Sequence, residues 1–246
     1  MARSRFTPSL PAPREVPWTP AQGVGVVIAA HATLILGGTI AIAAFGYGST
    51  TDAKNIPIGI QVAATAPFWV AAIALTWILV RRTGGDARRD LGLGWHWSDV
   101  PIGVALGVGT QYLVLPVVYW PIFQVLDKDA DELGQAARDL AETASGVGGG
   151  TVLFFLMAAV FAPVAEEVMY RGALLRGVER RGWPIAILGS SLVFAALHFQ
   201  PLQFVGLFII GVVCALGAAW SGRLSLAIVT HVAFNAATAI PLILDL

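Results

Sequence analysis

Residues 151–175 read TVLFFLMAAVFAPVAEEVMYRGALL, a long apolar run with only three charged side chains. These are Glu166, Glu167 and Arg171, and all three lie past the middle of the run. A helix rises about 1.5 Å per residue, so the run is long enough to cross the ~30 Å hydrocarbon core of a bilayer. It predicts a membrane-spanning helix with acidic groups at membrane depth, where an ionised side chain is costly.

The rest of the chain has the same apolar character. Of 246 residues, 57% are hydrophobic and 12% are charged, about half the charged share usual in soluble domains; mean hydropathy is +0.74. A soluble domain of this length cannot bury so much apolar surface, whereas a bilayer accommodates it. The sequence therefore predicts an all-α fold, a polytopic transmembrane helical bundle of about seven to eight helices, with residues 24–246 as one transmembrane domain. The six further predicted spans are about 24–46, 57–80, 100–126, 184–199, 202–221 and 224–244.

Basic residues are distributed unevenly around these spans. Arginines cluster before the first span, after the second, at the end of the fourth and before the seventh. Because basic loops remain in the cytoplasm, the pattern predicts a cytoplasmic N-terminus. Residues 1–23 contain five prolines and are expected to form a disordered cytoplasmic tail. The formal net charge is 0, so binding of nucleic acid has no electrostatic support.

The acidic pair in the fourth span predicts two different partners. Adjacent helical residues point about 100° apart, so Glu166 and Glu167 are expected to face different groups. Glu167 lies four residues before Arg171, a favourable spacing and order for a helical ion pair. Glu166 then needs a partner from another helix. His198, at the end of the fifth span, and His231, within the seventh, are the candidates.

His231 and Asn235 are four residues apart, so both are expected on one face of the last helix. Two hydrogen-bond donors directed at one point suit a developing oxyanion. A carboxylate in a low-dielectric site, with an imidazole opposite, becomes a better base near neutrality and can take a proton from water. Glu166 and an imidazole would thus supply the base of a peptide hydrolase.

Other functions use the same types of residue. Buried Glu–Arg and His–Asn pairs can hold helices together, and intramembrane polar groups also line ion or proton pathways. The residues alone therefore leave three hypotheses: a hydrolase, a membrane transporter or channel, and a non-catalytic structural or binding protein. His31 in the first span and Cys214 in the sixth each stand alone and are interpreted as packed side chains.

Three motifs occur in order on separate predicted helices. Glu166–Arg171 reads EEVMYR and matches EExxxR, Phe194–His198 reads FAALH and matches FxxxH, and His231–Asn235 reads HVAFN and matches HxxxN. In this combination the chain resembles the CAAX-protease and bacteriocin-processing family, also called the type II CAAX endopeptidase or Abi family. The resemblance implies an intramembrane endopeptidase of roughly eight helices, with a protease core at about residues 150–246.

The resemblance also implies roles for individual residues. Glu166 with His198 would activate water, and His231 with Asn235 would stabilise the oxyanion. Glu167 and Arg171 would support the site. The implied catalytic set is Glu166, Glu167, Arg171, His198, His231 and Asn235.

Metal dependence differs among descriptions of the family, which include both metalloproteases and metal-free glutamate peptidases. A catalytic zinc takes three protein ligands and a water, with a separate base. If Glu166, His198 and His231 were the ligands, no base would remain, so a site without metal or other cofactor is favoured and zinc is the alternative. Membrane lipids and a peptide or membrane-protein substrate are the expected partners. The high Ala, Gly and Arg content favours a bacterial cell membrane.

The predicted depths of the two histidines disagree. Along ideal helices, His198 lies about 20 Å from the cytoplasmic start of its span and His231 only about 10 Å from its own. Helix tilt or a short embedded fifth helix would bring them level.

Overall fold

The computed structural model describes residues 10–48, 51–128 and 130–244. Throughout these residues the chain forms helices and connecting turns without a β-strand. Six of the helices are long and apolar enough to cross a membrane. In chain order the main helices are α1 (Pro20–Ala44), α2 (Ile58–Arg82), α3 (Asp99–Leu126), α4 (Gln135–Ser145), α5 (Gly150–Arg181), α6 (Trp183–Ala196), α7 (Phe204–Ser221) and α8 (Leu224–Leu244).

The predicted all-α polytopic bundle is confirmed. The six long helices correspond to six of the seven predicted spans, whereas the run at 184–199 forms the shorter helix α6. This helix has 14 residues and ends at Ala196, so it is about 21 Å long and shorter than the ~30 Å hydrocarbon core. His198 was expected to close a span and instead lies in the turn between α6 and α7.

A hairpin at Gly182 sets the level of the site residues. Gly182 has φ +101°, a left-handed conformation that suits glycine, and it joins α5 directly to α6. The number of residues from Glu166 to the end of α5 equals the number from the start of α6 to His198. In an antiparallel hairpin, equal distances from the turn bring two residues to the same level. The short helix α6, which forms the fifth predicted span, therefore brings His198 to the level of Glu166, beside which His231 also lies.

Helix α8 lies against α3 at two glycines. A Cβ atom at Gly103 would lie 2.7 Å from Cγ1 of Val229, and one at Gly107 would lie 2.7 Å from the backbone nitrogen of Phe234. Both distances are shorter than real side chains allow, so these glycines permit the close approach of the two helices. The contact holds the segment of α8 that carries His231.

The start of α8 is held by the turn that follows α2. The Leu224 amide donates to the Gly92 carbonyl at 2.9 Å. Arg223 Nε donates to Oδ2 of Asp99, the first residue of α3, at 3.0 Å. The start of α8, the start of α3 and the end of α2 therefore lie at the same end of the bundle.

The segment 10–19 packs against the C-terminal part of α5. Trp18 is fully buried, and its Nε1 donates to the carbonyl oxygen of Ala173 at 2.9 Å. The backbone N–H of Arg14 donates to the buried Glu179 carboxylate. These contacts hold the chain against α5 before the first span begins.

Helix α1 starts within the predicted tail. Thr19 and Gln22 form a capping box, in which each side chain accepts a hydrogen bond from the other residue's backbone amide. The prediction of a disordered tail over 1–23 is therefore wrong for residues 10–23, because a buried tryptophan and a helix cap order this proline-rich stretch. Residues 1–9 lie outside the described residues.

Candidate active site

Glu166 lies between two imidazoles that come from different parts of the chain. Its Oε1 is 4.0 Å from Nε2 of His198, and its Oε2 is 3.8 Å from Nε2 of His231. The Glu166 side chain is 13% exposed, whereas that of Glu167 is 0% exposed, so only the first glutamate is accessible to another molecule. Both expected partners of Glu166 are thus brought to it.

The second nitrogen of each imidazole already has a partner. Nδ1 of His198 lies 2.7 Å from the Phe194 carbonyl oxygen, and Nδ1 of His231 lies 2.8 Å from Oε1 of Glu167. A carbonyl or carboxylate oxygen only accepts hydrogen bonds, so each Nδ1 carries the hydrogen. In a neutral imidazole, Nε2 is then a hydrogen-bond acceptor.

Acceptors therefore face one another across the site. The Glu166 carboxylate and the two neutral Nε2 atoms all lack a hydrogen to donate, and separations of 3.8 Å and 4.0 Å are too long for direct hydrogen bonds. A water molecule supplies two O–H donors and makes bonds of about 2.8 Å, so it can bridge Glu166 and an imidazole at these separations. The site has the polarity and spacing to hold such a water.

Glu167 and Arg171 form the predicted ion pair. Arg171 Nη1 donates to Oε1 of Glu167 at 2.8 Å, and both side chains are fully buried. Arg171 Nη2 also donates to the Gly211 carbonyl at 2.8 Å. The pair therefore links α5 to α7 through the guanidinium.

We expected Glu166 and Glu167 to face different groups, and this expectation is wrong, because His231 lies beside both glutamates. This imidazole binds Glu167 through Nδ1 and faces Glu166 through Nε2. The two ring nitrogens lie on different edges of the ring, so one histidine can contact adjacent residues whose side chains diverge. Glu167 consequently has two partners, Arg171 and His231.

Asn235 directs its amide toward α5. Its Nδ2 donates to the Ala158 carbonyl oxygen at 2.7 Å. An amide nitrogen has two hydrogens, so one N–H already has an acceptor and one remains. The structure thus does not show Asn235 and His231 donating to a common point, and their shared oxyanion role remains a prediction.

Phe194 packs against both imidazoles. Its ring centroid lies 4.6 Å from that of His198 and 5.6 Å from that of His231. Tyr170 meets Phe194 edge-on at 5.2 Å, and Cζ of Arg171 lies 4.8 Å from the Phe194 centroid. The phenylalanine of FxxxH therefore orients the histidines. Its four-residue spacing from His198 was the signal available in the sequence.

The geometry can be tested against a zinc ion at Glu166, His198 and His231. Histidines that bind a metal usually donate their other ring N–H to a carbonyl or carboxylate, and both histidines do so here. The Glu166 oxygens nevertheless lie 3.8 Å and 4.0 Å from the imidazole nitrogens. A tetrahedral zinc with bonds of about 2.0–2.1 Å needs neighbouring ligands roughly 3.4 Å apart. This set does not fit zinc without movement.

A second possible metal-ligand set shares two groups with the hydrogen-bond network. Glu167, Cys214 and His231 each place one ligand atom within 4.8 Å of the others. However, Oε1 of Glu167 already accepts from Arg171 and His231, and the Cys214 thiol donates to the Ala227 carbonyl at 3.6 Å. A guanidinium bound to Glu167 opposes a second cation beside it. These residues fit a hydrogen-bonded cluster better than a metal site.

The fold and the site define an integral membrane protein of the polytopic helical class with a buried glutamate–histidine centre. A family model described as Type II CAAX prenyl endopeptidase Rce1-like matches residues 148–237, the segment that carries all six predicted site residues. This match supports the resemblance to the CAAX-protease family that the three motifs predicted for this segment. No curated protein matches the chain, and no solved structure does.

Proposed function

We propose that this protein is an intramembrane endopeptidase that hydrolyses peptide bonds with a water activated by Glu166 and His198. The observation that supports the proposal is the position of Glu166, whose partly exposed carboxylate lies 4.0 Å from Nε2 of His198 and 3.8 Å from Nε2 of His231. Hydrolysis without a covalent intermediate needs a base that has room for one water molecule beside it. Here fixed imidazoles also lie next to that base.

The reaction would begin with a water that donates one hydrogen to Glu166 and the other to Nε2 of His198. As the water oxygen attacks the substrate carbonyl carbon, Glu166 takes its proton and the carbonyl oxygen becomes an oxyanion. The leaving amine then takes up a proton, for which protonated Glu166 is the available source. The carboxylate is regenerated, and no further reactant is required.

Two groups on α8 are candidates to stabilise the oxyanion. Asn235 would use the amide N–H that Ala158 does not accept. His231 would donate from Nε2 only after its ring has taken up a second proton, because Nε2 is an acceptor in the neutral ring. The Glu167 carboxylate at 2.8 Å from Nδ1 would stabilise the resulting imidazolium. Glu167 and Arg171 would then act by holding His231.

The proposed substrate is a peptide or a membrane protein that enters from the lipid phase. The matching family model is described as a CAAX prenyl endopeptidase, so a prenylated peptide belongs among the test substrates. Membrane lipids surround the bundle, and no nucleic acid is involved. We further propose a bacterial cell membrane as the location, with the N-terminus in the cytoplasm, on the basis of composition and arginine placement.

The test is cleavage by purified protein in lipid vesicles, with prenylated and unprenylated peptides and with the membrane proteome of a suitable host. Glu166→Gln should abolish every cleavage that the wild-type protein performs. Glu142→Gln, which alters an exposed glutamate on α4, is the matched control and should cleave normally. Ion or proton flux that depends on Glu166, without cleavage of any substrate, would contradict the proposal and favour a transporter.

A further inference from the structure

A hydrogen bond joins the first helix to the motif helix beside the site. His31 of α1 places Nε2 3.4 Å from the hydroxyl of Tyr170 on α5. Its Nδ1 lies 2.8 Å from the Val27 carbonyl oxygen, which can only accept, so Nδ1 carries the hydrogen. Nε2 of the neutral ring is therefore the acceptor, and the Tyr170 hydroxyl is the donor.

Both rings of this pair are held by packing. His31 meets Phe68 of α2 in a T-shaped contact, with centroids 5.0 Å apart, and faces Tyr170 at 6.3 Å. Tyr170 is 1% exposed, and a buried tyrosine hydroxyl normally needs a hydrogen-bond partner. His31 supplies that partner and limits the orientation of the tyrosine ring.

Tyr170 contacts the residue that orients the two site histidines. Its ring meets Phe194 edge-on at 87° and 5.2 Å. Phe194 in turn packs on His198 and on His231, at centroid distances of 4.6 Å and 5.6 Å. Contacts therefore run without a gap from His31 to both imidazoles that face Glu166.

We infer that His31 is a positioning residue of the active site, which acts through Tyr170 and Phe194 to hold His198 and His231 toward Glu166. The expected effect on the rate of cleavage rests on the proposed peptidase function. The packing of His31, Tyr170 and Phe194 does not depend on that function. His31 lies outside the segment that matches the family model. Helix α1 is thus part of the catalytic apparatus as well as a membrane anchor.

The test compares His31→Phe, Tyr170→Phe and the double variant in lipid vesicles. Each single change keeps a ring in place and removes one partner of the hydrogen bond. Each should lower kcat about tenfold, as loss of an orienting contact commonly does, and leave KM within about twofold. Because both act through one bond, the double variant should be no slower than the slower single variant.

The control is Thr33→Val, also on α1. Thr33 Oγ1 lies 2.7 Å from the Ala30 carbonyl oxygen and 3.2 Å from the Pro67 carbonyl oxygen of α2. The change therefore removes a hydrogen bond of α1 that is not one of the contacts from His31 to the site. It should leave kcat unaltered. An unchanged kcat in His31→Phe, or effects that multiply in the double variant, would overturn the inference.

A spectroscopic measurement separates this inference from the proposed function. In protein labelled with ¹⁵N-histidine, His31→Phe should shift the imidazole resonances of His198 and His231, whereas Thr33→Val should not. Unmoved resonances in His31→Phe would overturn the positioning role even if peptides are cleaved. Shifted resonances in a protein that cleaves nothing would support the positioning role and contradict only the peptidase assignment.

Discussion

Nδ1 of His231 lies 2.8 Å from Oε1 of Glu167, and both side chains are buried. This bond joins α5 to α8 at the centre of the site. Glu166, the adjacent residue, has no comparably short contact and remains partly exposed. The geometry therefore supports different tasks for the two glutamates: Glu167 binds the histidine, and Glu166 remains accessible to another molecule.

We predict that Glu166→Gln abolishes cleavage and leaves stability nearly unchanged. The amide keeps the shape of the side chain but cannot accept a proton from water, and general-base catalysis typically contributes about 10²–10⁴-fold. Thermal unfolding in detergent should shift little, because no strong ion pair is broken. Cleavage within about tenfold of the wild-type rate would remove Glu166 from the role of base.

Glu167→Gln should instead cost both stability and activity. It leaves the fully buried Arg171 guanidinium without its counter-ion, a change worth about 3–5 kcal/mol in unfolding free energy. His231 also loses the carboxylate that holds Nδ1. Thermal unfolding and the rate of cleavage should therefore fall together.

A double-mutant cycle tests the pair directly. Glu167→Gln combined with Arg171→Gln should cost less unfolding free energy than the sum of the two single changes, because neither charge is then left alone. Unfolding measured for all four proteins gives the coupling energy. Strict additivity would show that Glu167 and Arg171 do not stabilise each other.

Much of this site could be predicted from local spacing. Glu167 and Arg171 are four residues apart on one helix, so their pairing follows from helix geometry alone. The partners of Glu166 could be predicted because few polar side chains lie at membrane depth and each of them needs a partner. His198 and His231 were therefore the expected partners, and the structure places both there.

Local spacing could not predict the contacts between segments that are distant in the sequence. The bond between His231 and Glu167 depends on how α8 is rotated about its axis relative to α5. The spacing of residues along each helix does not specify this rotation. The same holds for His31, which stands alone in its helix and meets Tyr170 only in the folded bundle. The position of His198 along the membrane normal depends on the residue at which α6 begins, and the turn at Gly182 determines that residue.

The packing of Trp18 predicts that the N-terminal segment is needed for stability. Its side chain is fully buried and donates to the Ala173 carbonyl of α5 at 2.9 Å. Trp18→Ala should cost about 3–5 kcal/mol, as large aromatic truncations in cores do. Trp18→Phe, the matched change, should cost less, since it loses the hydrogen bond, worth about 1 kcal/mol, but retains much of the packing.

Unfolding of these two variants in detergent distinguishes the alternatives. A negligible effect of Trp18→Ala would mean that segment 10–19 is not bound to α5 in the membrane protein. Val16 is a further buried residue of this segment, and Val16→Ala should have a smaller effect than Trp18→Ala because fewer atoms are removed.

The last prediction concerns metal, and we expect exhaustive chelation of the purified protein to leave peptide cleavage intact. The Glu166 oxygens lie 3.8 Å and 4.0 Å from the Nε2 atoms of His231 and His198, wider than the roughly 3.4 Å between neighbouring ligands of a tetrahedral zinc. If Glu166 bound a metal, the site would also lose the base that the proposed reaction requires. Activity and metal content should be measured on the same samples before and after chelation, with a known zinc peptidase treated in parallel to show that the chelator is effective. Activity that falls with metal content and returns with one equivalent of zinc would contradict the metal-free mechanism and make both histidines zinc ligands.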